Sequence, residues 1–246
     1  MTKSKIKITG DLDFIVPTVV PSFIKGEDAE AIYKEVSKTI KSGIWFDEEA
    51  KTMRGSSTFA AARVDSILRP LGIRVATLRD LSRPEIMKMV RGKFYSDTPA
   101  IVFRSTKDGY EPNDLLIKQL SRLVEEKNGR LKLPVLITGF DVIPSEDERG
   151  YGLDIVARKD FNALNDKRLE GKYNEQRFSS IDENGLPNFK RDGARIWHAK
   201  DSGLSRLCLD KHGALCSRYY GDVNLAESEK DGRIIVIREI GWSRAK

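Results

Sequence analysis

Cysteine is scarce: Cys208 and Cys216 are the only two in 246 residues. Two thiols cannot build a disulfide scaffold, so the fold must rest on a buried apolar core. Long apolar runs are missing too, and none approaches the ~20 residues that a membrane-spanning helix needs. The opening residues, MTKSKIKITGDLDF, lack the apolar centre of a secretory signal, so no signal peptide and a cytoplasmic or virion-associated location are expected. Phosphate-cradling glycine motifs are absent, with no G-x-G-x-x-G after a strand and no G-x4-G-K-[ST]. Nucleotide binding therefore has no support, and no cofactor is expected. The acidic run at 145–150, SEDERG, does not have the spacing of a calcium-binding EF-hand loop and reads as a solvated turn.

What is present is an ordinary globular composition, 39% apolar and 33% charged with a mean hydropathy of −0.43. Cations are in excess, 43 Lys and Arg against 37 Asp and Glu, for a net charge of +6. The excess is local. Residues 51–93 hold ten cations (Lys51, Arg54, Arg63, Arg69, Arg74, Arg79, Arg83, Lys88, Arg91 and Lys93) against Asp65, Asp80 and Glu85. Phosphate binding needs several cations within reach of one backbone, so this segment is the candidate for a nucleic-acid contact; a solvated helical face is the plainer reading.

Hydrophobic periodicity predicts an α+β fold. Residues 5–20 read as strand broken at Pro17. Ala29, Ile32, Val36 and Ile40 recur at helical spacing over 28–42. Ser56 or Ser57 caps a second helix that runs to Pro70, and Pro84 opens a third that ends at Gly92. Residues 98–104 read as a buried strand. Residues 113–127 form the clearest amphipathic helix, capped by Asn113 or Asp114. Strands follow at 134–142 and 151–158. From 161 to 195 hydrophobes thin out and turn signals dominate, so irregular structure is expected there. The chain closes on a strong strand, RIIVIRE, at 233–239. Trp45, Trp197 and Trp242 read as packing residues.

Cys208, His212 and Cys216 share the spacing C-x3-H-x3-C, with His198 nearby. On a helix that spacing would put the three on one face, and it invites a zinc-site or a metal- or thiol-dependent enzyme reading. Gly213 and the turn-like Asp210–Lys211 pair argue against such a helix. Around these residues, apolar and small positions form a frame, while the intervening positions hold Cys208, Asp210, His212, Cys216, Arg218, Tyr219, Tyr220, Gly221 and Asp222. Tyr, Arg, Gly and Asp on irregular backbone have the composition of a recognition surface, although an ordinary irregular region would share it.

The run DSGLSRL at 201–207, then Leu209, Leu215, Ser217, LA-x-S at 225–228 and GRIIVI at 232–237 resembles the variable proteins of diversity-generating retroelements, of the archaeal and candidate-phyla type. FRSTKDGYEPND at 103–114, ITGFDVI at 137–143, YGL at 151–153 and DENGLPNF at 182–189 extend the likeness over roughly 98–239. Residues 1–97 lie outside it. In that family a retroelement rewrites adenines near the 3′ end of the gene, mostly in AAY codons, and a C-type lectin fold displays the varied residues.

The resemblance implies a non-enzymatic ligand-binding protein, with a helical, basic portion at 1–97 and a C-type lectin-like domain at 98–246 whose variable region is about 203–233. It implies variable contact residues at Cys208, Asp210, His212, Cys216, Arg218, Tyr219, Tyr220, Gly221, Asp222, Asn224 and Asp231, with Arg218, Tyr219 and Tyr220 as anchors. The scaffold would be Leu204, Arg206, Leu207, Leu209, Leu215, Leu225, Gly232 and Arg233, the arginines bracing the loops and RIIVIRE lying as a central strand. The partner would be a protein or cell-surface ligand, met at a virus tail tip or on a cell, with nucleic acid bound through 51–93 as the alternative. Adenine randomisation of AAY never yields Lys, Glu, Gln, Met or Trp, so Lys211, Glu227, Glu229 and Lys230 would be fixed positions. No metal is required, because Cys and His are accessible outcomes of that randomisation.

Overall fold

The computed structural model describes residues 21–147, 149–171, 176–200, 202–217 and 224–238, with only the backbone considered at 216–217. The strand expected at 5–20, Trp242 and the expected contact residues Arg218, Tyr219, Tyr220, Gly221 and Asp222 lie outside the described residues.

The first third carries short strands between its helices: β1 (Pro21–Phe23), α1 (Glu27–Ser37), β2 (Trp45–Asp47), β3 (Thr52–Arg54), α2 (Thr58–Leu68), β4 (Ile73–Val75), α3 (Leu78–Leu81) and α4 (Pro84–Val90). Ala29, Ile32 and Val36 form the buried stripe of α1. Ser57 caps α2 by accepting from the Ala60 amide at 3.2 Å, one of the two caps expected. Then come β5 (Ser96–Phe103), α5 (Glu111–Asn128), β6 (Val135–Pro144) and β7 (Leu153–Asn165). Helix α5 starts two to three residues earlier than its sequence signals: Tyr110 is its N-cap and Pro112 sits in its first turn, while Asn113 is buried inside it.

The remaining strands are β8 (Gln176–Ile181), β9 (Pro187–Phe189), β10 (Arg195–Ala199), β11 (Leu204–Leu209), β12 (Leu215–Ser217) and β13 (Ile235–Arg238). Eight strands make one sheet in the order β7-β6-β5-β11-β12-β10-β8-β9. All its pairs are antiparallel except β10–β12. The irregular region expected at 161–195 is thus partly strand: β7 runs on to Asn165, and β8 and β9 form one edge of the sheet. Alternating residues too polar for a core strand suit this edge position.

Gly139 makes the long β6–β7 ribbon possible. Its φ is +70°, the register shifts beside it, and a Cβ there would lie 2.2 Å from the Asp160 carbonyl. Only glycine fits such a bulge.

Strand β5 is buried on both faces and divides two cores. Ile101 and Phe103 face a core shared with α1, α2 and α5, whereas Ala100 and Val102 face one shared with α3, α4 and Trp197. The boundary expected at 97–98 falls inside this strand. Residues before it also belong to the same core as residues after it, Phe59 of α2 and Ile137 of β6 among them. Strand β13 is central, as expected, but in a separate three-stranded sheet between β1 and β4 rather than in the large sheet.

Candidate functional site

A cavity of about 260 Å³ opens between the β11–β12 hairpin and the segment 227–231, with Tyr95 and Arg206 forming part of its wall. It brings together Arg206, Cys208, Asp210, His212 and Asp231, of the expected scaffold and contact positions, with Lys211, Glu227 and Glu229, of the expected fixed ones.

Arg206 holds its inner wall. The guanidinium donates to both carboxylate oxygens of Asp97, at 2.6 and 2.5 Å, and to the Ser56 and Glu227 carbonyls, each at 3.3 Å. Burial disfavours the cation, yet the charge and hydrogen bonds of Asp97 outweigh it and raise the Arg206 pKa well above the usual arginine value. The cation also lies 5.4 Å from the Tyr95 ring centroid. One guanidinium thus ties strand β11 to Asp97 of β5 and to the loops at Ser56 and Glu227.

Tyr95 extends the brace. Its hydroxyl donates to the Ser56 carbonyl at 3.1 Å and accepts from the Glu229 amide at 2.7 Å. Burial, then the Asp97 charge, push its pKa up, so it stays a neutral donor. Ser228 Oγ accepts from the Ser56 amide at 2.7 Å. Gly232 sits where a Cβ would come within 2.6 Å of the Ser56 nitrogen and 2.8 Å of Tyr95 Oη, which is why this scaffold position is glycine. Arg233 donates to the Lys230 and Gly232 carbonyls and lies 4.6 Å from the Phe94 ring centroid.

The outer wall is the hairpin turn. Asp210 Oδ1 accepts from the His212 and Ala214 amides at 2.8 and 2.9 Å, and Gly213 takes a φ of +87°. Lys211 Nζ is 3.6 Å from Asp231 Oδ2. The other oxygen of Asp231 is buried without a hydrogen-bond partner among the described residues. Asn224 shapes the far loop, its Oδ1 accepting from the Ala226 amide at 2.9 Å.

Among the described residues, the expected scaffold and contact positions differ in burial, Cys208 excepted. Leu204, Leu207, Leu209, Leu215 and Leu225 are at most 1% exposed, each contributing roughly 1.5–3 kcal/mol of burial. His212 is exposed, and Asp210, Asn224 and Asp231 are partly so. Cys208 is the exception: only 2% exposed, it belongs to the cavity wall rather than to an outer surface. Cys208 and Cys216 stand on two paired strands and His212 in the turn between them, not on one helical face. Among the described residues no three His, Cys, Asp or Glu side chains are grouped to hold a metal ion. Sequence reasoning did not place Tyr95, Ser56, Asp97 or Ser228 at the inner wall, because that role depends on contacts 39 to 172 residues away.

The basic segment is largely self-neutralised. Arg54 pairs with Asp47, Arg63 with Asp141, Arg69 with Asp65, Arg74 and Arg83 with Asp80, and Lys51 with Glu48. Arg79, Lys88, Arg91 and Lys93 are the exposed cations that remain. A second cleft, of about 290 Å³, lies over β5–β7 beside Asp65, Arg69, Arg158 and Asp160. These four pair among themselves, and the cleft contains none of the residues of the recognition frame except Leu207. No helix among the described residues is long and apolar enough to cross a membrane.

No family model, curated protein or solved structure matches the chain.

Proposed function

We propose that this protein is a non-enzymatic binding protein of the retroelement-diversified kind, with a C-type lectin-like arrangement of its C-terminal portion. The cavity between the β11–β12 hairpin and the 227–231 segment is part of its recognition surface. The observation that carries this reading is the division of labour around the cavity. Frame residues are core or brace, so they cannot vary without unfolding the site. Asp210, His212, Asn224 and Asp231 hang from that frame in turns, where side chains can change at little cost to the core.

Glu227, Glu229 and Lys211, which adenine randomisation cannot produce, line the same cavity. The site thus combines a constant acidic rim with changeable positions. The partner on this reading is a protein or cell-surface molecule, met at a virus tail tip or on a cell. Nucleic acid is the less favoured partner, because six of the ten cations of 51–93 are already paired.

Sequencing the DNA that flanks the gene tests the proposal. The expected result is a near-copy of the 3′ coding region beside a reverse-transcriptase gene, differing at adenines in the codons for the changeable residues. Absence of such a copy, or mismatches concentrated on Leu204, Leu207, Leu209, Leu215 and Leu225, would overturn it.

A further inference from the structure

The chain's two cysteines occupy opposed backbone positions across one hairpin. Cys208 in β11 is directly opposed to Cys216 in β12, one step from the opposed pair Leu209 and Leu215. That register is pinned at both levels. The Asp210 amide donates to the Ala214 carbonyl at 3.0 Å to close the turn. Leu209 and Leu215 are both fully buried, and a slip of one residue would turn a leucine out of the core. Directly opposed residues of antiparallel strands have Cα atoms about 4.5–5.5 Å apart, within the roughly 4.4–6.8 Å that a disulfide spans. Cys208 carries a free thiol in the wall of the 260 Å³ cavity, which gives a small oxidant a route to it.

We propose that Cys208 and Cys216 are a peroxide-oxidised pair that closes a disulfide across the base of the β11–β12 hairpin. In the first step the Cys208 thiolate attacks hydrogen peroxide. The S–O bond forms, the O–O bond breaks, and the departing hydroxide takes up a proton as water. In the second step the Cys216 thiolate attacks the Cys208 sulfenic sulfur. The S–S bond forms and the S–O bond breaks, releasing a second water. Both thiols are oxidised and the peroxide is reduced. The linkage fastens the hairpin that forms the outer wall of the cavity, so oxidation stiffens Asp210 and His212 against the braced inner wall. The proposal does not depend on the binding function assigned above.

The full-length protein in its folded state provides the test. After reduction, removal of reductant and treatment with stoichiometric hydrogen peroxide, unreacted thiols are alkylated in denaturant and the chain is digested with trypsin. Cleavage after Arg206, Lys211 and Arg218 places the two cysteines on separate peptides, 207–211 and 212–218. The expected product is the two peptides joined, lighter by two hydrogens than their sum, from protein that runs as a single chain in denaturant without reductant, and losing the link on reduction. Recovery of both peptides alkylated, Cys208 halted at sulfinic acid, or the link formed only between two chains would overturn the proposal. Backbone amide exchange over 209–215 should slow on oxidation and recover with reductant; unchanged exchange would overturn the stiffening.

Discussion

Arg206 and Asp97 form a two-pronged ion pair in the interior, with side chains 6% and 0% exposed, and the walls of the cavity beside the β11–β12 hairpin are fastened to it. Removing one partner strands the other charge. Arg206→Leu should therefore lower unfolding stability by about 3–5 kcal/mol, read as a shift in the urea midpoint. The double variant Arg206→Leu with Asp97→Leu should recover part of that loss, because no unpaired charge is left buried.

At the hairpin turn, the side chains named together in the sequence should separate in their effects. Asp210→Ala removes the acceptor for two backbone amides and should cost about 1 kcal/mol, whereas Asp210→Asn keeps an acceptor oxygen and should cost less. His212→Ala and Glu229→Ala, both exposed, should stay within about 0.5 kcal/mol of the parent. Thermal unfolding of the four variants would check this order.

Asp80 ties stability to pH. Burial favours its neutral form, but hydrogen bonds from Arg74 and Thr77 outweigh that and hold its pKa below the ordinary value of 3.8. Its carboxylate accepts from Arg74 at 2.5 Å and from the Thr77 amide at 2.9 Å, closing the cap of α3. A depressed folded-state pKa contributes stability that is full above the unfolded value. That contribution is lost as pH falls through the folded value. The parent should lose stability below pH about 4, and Asp80→Asn should flatten that part of the profile while being less stable at neutral pH. Urea midpoints between pH 2 and 7 would measure it.

With four exposed cations of the basic segment free of ion pairs among the described residues, any nucleic-acid affinity through it should have a shallow salt dependence. The slope of log K against log salt should be no steeper than about −4 for duplex DNA. Fluorescence anisotropy over a salt series would show it. Changing Arg79, Lys88, Arg91 and Lys93 together to Gln should abolish whatever affinity exists.

Elements with a repeating local signal were legible in the sequence. The stripe of Ala29, Ile32 and Val36, the Ser57 cap and the unbroken apolar run of β5 carry their own periodicity or capping chemistry. The start of α5 was misplaced because Pro112 and Tyr110 give a weaker signal than the Asn113–Asp114 pair that follows. The strands at 161–195 were missed because edge strands tolerate polar residues and carry little hydrophobic alternation.

The charge of 51–93 shows the same limit from the other side. Composition counts charges within the segment, but Asp47 and Asp141, outside it, reach Arg54 and Arg63 only in the folded chain.

By itself, then, the sequence determined the α+β class, the buried stripe of α1 and the apolar run of β5, and it named the residues around which a binding site would be sought. Those depend on local pattern and burial preference, which act over a few residues. Tertiary structure alone decided that Arg206, Asp97, Ser56 and Tyr95 form one brace and that residues on either side of 97 share a core. Such contacts join positions far apart in the chain, and long-range pairing leaves no periodic mark on either partner.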